Sequence, residues 1–143
     1  MFLGEYKHSV DEKGRLAVPF KFRSSLKSGA VVTRGLDNCL FLYPQAEWKK
    51  FADKLSKLSI TQADSRAFAR HMLSGAMDVK TDKQGRIVLP DYLRKFSNIK
   101  KKAVMAGLSN RVEIWNEEDW EKYKSATEQK STEIAERMGE LGI

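Results

Sequence analysis

Two short stretches carry the residues best suited to chemistry. Asp11-Glu12-Lys13-Gly14-Arg15-Leu16-Ala17-Val18-Pro19 returns 71 residues later as Asp82-Lys83-Gln84-Gly85-Arg86-Ile87-Val88-Leu89-Pro90, and both read D-x-x-G-R, three aliphatics, Pro. An arginine beside a glycine turn projects a planar fork of donors from a point where the backbone can approach another surface. That geometry suits phosphate oxygens or the O6/N7 edge of guanine. Lys13 and Lys83 add positive charge beside the forks. Asp11 and Asp82 each precede an arginine by four residues and can pair with it, which would lock the turn. For the arginines, spacing leaves binding and turn-locking both open. For the aspartates it favours locking, because a carboxylate facing a polyanion is repelled. Gly14 and Gly85 are read as structural, supplying the positive φ of a tight turn, as are Pro19 and Pro90, which close the aliphatic triplets.

Other chemistry is thin. His8 and His71 are the only histidines, with no H-E-x-x-H spacing, and neither a G-x-S-x-G nor a G-x-x-x-x-G-K-[ST] motif occurs. A general acid needs a raised pKa, and an arginine next to Asp11 or Asp82 pushes the other way. Cys39 is the single cysteine, so no intrachain disulfide can form and it reads as a small buried hydrophobe. No catalytic residue, metal site, cofactor or small-molecule substrate is expected.

The elements that must position the forks repeat as well. The match reaches back to Gly4 and Gly75 and on to Arg23 and Arg94. At an offset of 72, Val31–Asn38 faces Ala103–Asn110, and Leu40, Leu42, Tyr43 and Trp48 face Val112, Ile114, Trp115 and Trp120. Gly, Asn and Trp kept in register over ~45 residues indicate an internal duplication. Each half reads as about four short strands and one short helix: a turn at D-x-x-G-R, a helical turn after the proline, and a strand pair reversing at Asp37-Asn38 or Ser109-Asn110. Pro44 suits a first helical position, with Trp48, Phe51, Leu55 and Leu58 on one stripe. Thr61 with Asp64 would cap a second helix carrying Phe68 and Met72. Asn116 would cap a third helix whose stripe is Trp120, Tyr123 and Thr127, then, after a gap, Ile134, Met138 and Leu141. The expected organisation is a first unit at 1–48, a linking helical hairpin at 44–75, a second unit at 76–120 and a C-terminal helix at 116–143. Units this small bury too little surface alone, so the two should share one core as an intrachain pseudo-dimer within an α+β fold with a mainly β core.

The chain has 143 residues, 41% hydrophobic and 31% charged, a globular balance. Its longest uncharged apolar stretch, Ala103 to Leu108, falls far short of the ~18 residues of a membrane span, so a soluble, cytoplasmic protein with no membrane association is expected. Residues 1–115 hold 22 Lys/Arg against 11 Asp/Glu, and residues 116–143 hold 4 against 8. A basic body favours polyanions, and an acidic tail is better placed against the protein itself.

Val10 to Pro19 with Arg23 resembles the core of the SpoVT/AbrB swapped-hairpin family of bacterial DNA-binding regulators and antitoxins. Two such units, the opening Met1-Phe2-Leu3-Gly4-Glu5-Tyr6, the Thr33-Arg34-Gly35-Leu36-Asp37 stretch and the Ser65-Arg66-Ala67-Phe68 helix resemble its two-unit members over nearly the whole chain. The resemblance implies swapped-hairpin units and a nucleoid-associated transcriptional regulator, a repressor by expectation. It further implies a ring-shaped homo-oligomer on short direct repeats of double-stranded DNA, in the promoter of a division and cell-wall gene cluster that includes its own gene. The family's DNA-contacting arginine falls on Arg15, with Arg86 its counterpart. Gln84 stands where the first unit has Lys13, which weakens the second basic face. The competing reading is an oligomeric antitoxin-like protein-interaction module that would use the acidic tail. Trp48 and Trp120 are candidate large anchors, for contacts between subunits or for the core.

Overall fold

The computed structural model describes residues 1–143. Eight strands and five helices follow in the order β1 (Phe2–Ser9), β2 (Arg15–Ala17), α1 (Phe20–Leu26), β3 (Ala30–Arg34), β4 (Leu40–Pro44), α2 (Gln45–Ser56), α3 (Ala63–Ser74), β5 (Met77–Val79), β6 (Arg86–Val88), α4 (Asp91–Ser97), β7 (Lys102–Ser109), β8 (Arg111–Asn116) and α5 (Glu117–Met138). Each half contributes four strands and one short helix, the α+β, mainly β arrangement expected from the duplication.

The halves are interleaved rather than side by side. A six-stranded antiparallel sheet runs β1-β7-β8-β4-β3-β5, and a separate ribbon pairs β2 with β6. The first strand of each half therefore lies against the other half: β1 on β7, β5 on β3. In the ribbon, Arg15 faces Val88, Leu16 faces Ile87 and Ala17 faces Arg86. These pairs exchange under the 71-residue offset, so a pseudo-two-fold axis passes between Leu16 and Ile87. In the sheet, Leu40 faces Ile114 and Leu42 faces Val112, which places the same axis between Phe41 and Glu113. The strand after each D-x-x-G-R turn thus does not continue back along the strand before it. Only a bridge between Val10 and Leu16 remains of that local hairpin.

Alternation along the central strands separates two cores. Leu40, Leu42, Val112, Ile114, Ala103 and Met105 point to one face and join Leu16, Val18, Ile87 and Leu89 of the ribbon with Phe22 and Leu93 of α1 and α4. Phe41, Tyr43, Val104 and Trp115 point to the other, under Leu55 of α2 and Met72 of α3, with Trp48, Phe51, Phe68 and Trp120 partly covering them. A sheet covered on both faces has little need of polar residues, hence the runs Leu40–Tyr43 and Ala103–Ala106. The ribbon and the helices α2, α3 and α5 lie on opposite sides of the sheet. Trp48 and Trp120 both pack within their own chain.

Reversals follow their residues. Asp37 and Asn38 both have φ of 62°, as a type I′ turn requires, and Ser109 has φ of 66°. Some sequence expectations shift. Helix α2 begins at Gln45, with Pro44 closing β4, and Leu58 falls past its end. Thr61 does not cap α3; its hydroxyl is held by Ser59 Oγ at 2.7 Å, and Gln62 flanks the helix without a side-chain cap. Asn116 does cap α5, its Oδ1 accepting from the Asp119 amide at 3.0 Å. The tail packs on the protein through its first two turns only. Trp120 and Tyr123 meet Trp115, Lys124 pairs with Glu5 at 2.8 Å and Glu121 with Lys7 at 3.1 Å. No residue of α5 is buried; Ile134 and Met138 are half-buried, and Leu141 beyond the helix is exposed.

The glycines of the D-x-x-G-R turns leave no room for a side chain. Gly14 has φ of 80°, and a Cβ there would lie 2.7 Å from the Leu89 carbonyl oxygen of the other unit. Gly14→Ala should lower stability by at least ~1–2 kcal/mol from the left-handed conformation alone, the clash adding to it. Gly139→Ala, whose Cβ would meet nothing within 4 Å, should stay within ~0.5 kcal/mol. Urea midpoints of the two variants compare them; equal midpoints would show that the turn tolerates a side chain.

Candidate nucleic-acid interface

Each D-x-x-G-R stretch closes on its aspartate. Asp11 Oδ1 accepts from the amides of Lys13 at 3.0 Å and Arg15 at 2.9 Å, and Asp82 Oδ1 from Gln84 and Arg86, both at 2.9 Å. The backbone completes the loop, Gly14 N donating to Asp11 O and Gly85 N to Asp82 O, each at 2.9 Å. The second carboxylate oxygen takes the arginine side chain: Arg15 Nε to Asp11 Oδ2 at 2.6 Å, Arg86 Nε to Asp82 Oδ2 at 2.9 Å. The Arg15 amide first, then its guanidinium and the Lys13 amide, hold the Asp11 carboxyl below its ordinary range. Asp82 is lowered in the same way, first by the Arg86 amide. These carboxylates stay charged near neutrality and orient the arginines. Only Nε is engaged; Nη1 and Nη2 of both arginines make no hydrogen bond within the chain and remain available to an outside acceptor.

What lies beneath the turns belongs to the opposite unit. Val18 N donates to Gly85 O at 2.9 Å, and Leu89 N to Gly14 O at 2.8 Å. Arg23 Nε donates to Val18 O at 2.9 Å while its guanidinium lies against Gly85. Arg94 Nε donates to Leu89 O at 3.1 Å while its guanidinium lies against Gly14. Arg23 and Arg94 are thus clamps on the partner turn. The sequence shows them as a repeated pair, but nothing in spacing reveals that each serves the other half.

The ribbon brings the two forks together. Leu16 and Ile87 point inward and are buried, so the outer face carries Arg15 and Ala17 on one strand and Arg86 and Val88 on the other. The arginines occupy diagonal positions, ~7–8 Å apart between strands at such a register. Their side chains are 34% and 30% exposed, sheltered enough to be held and open enough to reach out. Lys13, Lys83 and Gln84 are exposed at the turn tips. His8 is half-buried within β1. His71 Nε2 lies 2.9 Å from the Gly35 carbonyl oxygen, tying α3 to the β3–β4 loop. Cys39 is buried, which pushes its thiol well above its ordinary pKa and leaves it inert.

Comparison with known proteins accounts for the duplicated architecture. A family model described as "MraZ protein, putative antitoxin-like" matches twice, over residues 1–71 and 72–141. The chain belongs to the MraZ family. Among similar MraZ proteins, that of Desulforamulus reducens is 48% identical over 141 residues, covering 99% of both chains. That of Natranaerobius thermophilus is 49% identical over 143 residues, and that of Clostridium tetani 48% over 143 residues, each covering both chains entirely. All three carry the name "Transcriptional regulator MraZ". MraZ proteins are thus regulators by name and not enzymes.

The charged turns give a pH dependence. In the unfolded chain the aspartates return to their ordinary value of 3.8. Their contribution is therefore full above roughly pH 5 and is lost as pH falls through about 4 toward the lowered folded values. The double variant Asp11→Asn with Asp82→Asn should have a lower urea midpoint than the wild type at pH 6, and the gap should close towards pH 3. A gap that stays constant with pH would show that the charges do not stabilise the turns.

Proposed function

We propose that this protein is a DNA-binding transcriptional regulator that reads double-stranded DNA with the outer face of the β2–β6 ribbon. The observation that carries this reading is the meeting of the two duplicated arginines on that face, each held at Nε by its own aspartate and free at both terminal nitrogens. A two-stranded ribbon fits the ~12 Å width of the major groove, and a fork presenting two donors matches guanine O6 and N7 or a phosphate. Arg15 and Arg86 are the contacting residues, with Lys13 and Lys83 adding phosphate contacts. Asp11, Asp82, Gly14, Gly85, Pro19 and Pro90 hold the turns. The names carried by the relatives support the regulatory role, and the basic charge of residues 1–115 supports a polyanionic partner.

The family resemblance supports the finer parts of the reading. These are a homo-oligomeric ring, nucleoid association, short direct repeats in the promoter of a division and cell-wall gene cluster including its own gene, and repression as the outcome. The free edges at β1 and β5, with Leu3 and Met77 exposed on them, support association between copies.

A gel-shift titration on the promoter upstream of its own gene tests the proposal. Affinity should fall with added salt by ~0.9 log units per phosphate contact per decade; a slope near zero would overturn it. Arg15→Ala should weaken binding by roughly ten- to a hundredfold and more than Arg86→Ala, because Lys13 supports the first turn where Gln84 stands in the second, while thermal melts stay near the wild type. A large loss of stability would instead mark the arginines as turn locks. Light scattering should give a mass several times the 16.3 kDa of one chain; a monomer would remove the ring.

A further inference from the structure

The two arginines do not fill the ribbon's outer face. Val88 stands directly across from Arg15, and Ala17 directly across from Arg86. Val88 is 52% exposed, an aliphatic side chain held in solvent at the middle of a charged surface. It contributes little to the core, which the ribbon meets through Leu16 and Ile87, 0% and 1% exposed. The pseudo-two-fold axis between Leu16 and Ile87 relates Val88 to Ala17, so the face is symmetric in its arginines and asymmetric in its apolar residues. The turn tips differ as well, without favouring the Val88 side in charge. Glu12 and Lys13 adjoin the end where Arg15 and Val88 meet, and Lys83 and Gln84 the end where Arg86 and Ala17 meet.

We propose that Val88 is a specificity-determining residue that reads the C5-methyl group of a thymine next to the base read by Arg15, and that the shorter Ala17 makes no equivalent contact. The proposal rests on the reading of the ribbon as a DNA-binding face. Thymine is the only base whose major-groove edge carries a methyl group, and small apolar side chains recognise it by contact. Directly opposed residues on one face lie ~4.5–5.5 Å apart and diagonal ones ~7–8 Å. Base pairs stack ~3.4 Å apart along a strand. Val88 therefore falls about one step from the target of Arg15, and the two arginines about two steps from one another. With the longer Val88 on one flank and only the shorter Ala17 on the other, the two directions of lying on the same duplex are unequal. Val88 would thus let each subunit choose an orientation, which arginines related by a two-fold axis cannot do alone.

The test needs no altered fold. In the promoter fragment bound by the full-length protein, thymines are replaced by deoxyuridine, which keeps base pairing and removes only the methyl group. Wild type should bind the uracil fragment about three- to fivefold more weakly, the size expected for one buried methyl group. Val88→Ala should bind both fragments alike, at the affinity of wild type for uracil DNA, with an unchanged thermal melt. Adding Ala17→Val to Val88→Ala should restore the preference for thymine. Equal binding of the two fragments by wild type overturns the proposal while leaving the DNA-binding reading intact. A Val88→Ala variant that weakens both fragments equally, or melts lower, also overturns it by making Val88 structural. Failure of wild type to bind any fragment overturns both readings.

Discussion

Four backbone atoms at the two ends of the β2–β6 ribbon carry much of the consequence of this fold. The amides of Val18 and Leu89 donate to the carbonyls of Gly85 and Gly14, so each turn is tied to the strand end of the other unit. Arg23 and Arg94 reinforce the ties, each reaching a carbonyl of its own unit while covering the opposite glycine. A Cβ at Gly14 would meet the Leu89 carbonyl oxygen and one at Gly85 the Arg23 guanidinium, and both residues have positive φ, which explains glycine at both turns. Without these ties the ribbon has no partner strand, Leu16 and Ile87 lose the pairing that points them inward, and Arg15 and Arg86 have no common surface.

The same exchange solves a problem of size. A unit of ~45 residues exposes too much of its apolar surface to be stable alone. Passing β1 and β5 to the opposite half merges two deficient cores into one of 19 buried residues. The sheet then has a second apolar face, and the helices inserted between and after the units cover it. Thr33 and Arg34 secure that layer: Thr33 Oγ1 donates to Met72 O at 2.6 Å, and Arg34 Nε to His71 O at 3.0 Å, satisfying carbonyls at the C-terminus of α3.

Charge follows this layering. The basic ribbon lies on one side of the sheet, while acidic α5 starts on the other and is fastened by Glu5 and Lys7 of β1. The symmetry of the halves is close in the backbone and incomplete in the side chains. Lys13 and Gln84, Ala17 and Val88, Phe20 and Asp91 differ, and Phe41 meets Glu113 across the axis. Glu113 is nearly buried there and is paired with Arg111 at 2.9 Å and the Trp115 indole at 3.1 Å, the partners such a charge requires.

The sequence by itself determined most of the local turn chemistry. Duplication was legible because turn chemistry is written in residues a few positions apart: Asp, Gly and Arg within five residues, Asp37-Asn38 at a reversal, Asn116 three residues before the amide that it caps. The aspartate–arginine pairs belong to the same class, since both partners sit in one turn. Thr61 is a local exception: its hydroxyl lies 2.7 Å from Ser59 Oγ, and the position flanking α3 falls to Gln62. Only the tertiary structure decided which strand pairs with which. Hydrophobic alternation says that β2 and β6 each have one buried side, and it is satisfied equally by pairing within a unit or between units. Register across the axis then fixed what spacing could not: that Arg15 and Arg86 share a face, that Val88 stands beside Arg15, and that Arg23 and Arg94 guard the other unit's turn. Those relations join residues some 70 positions apart, and their physical cause is burial of a common core, which exists only once the chain has folded.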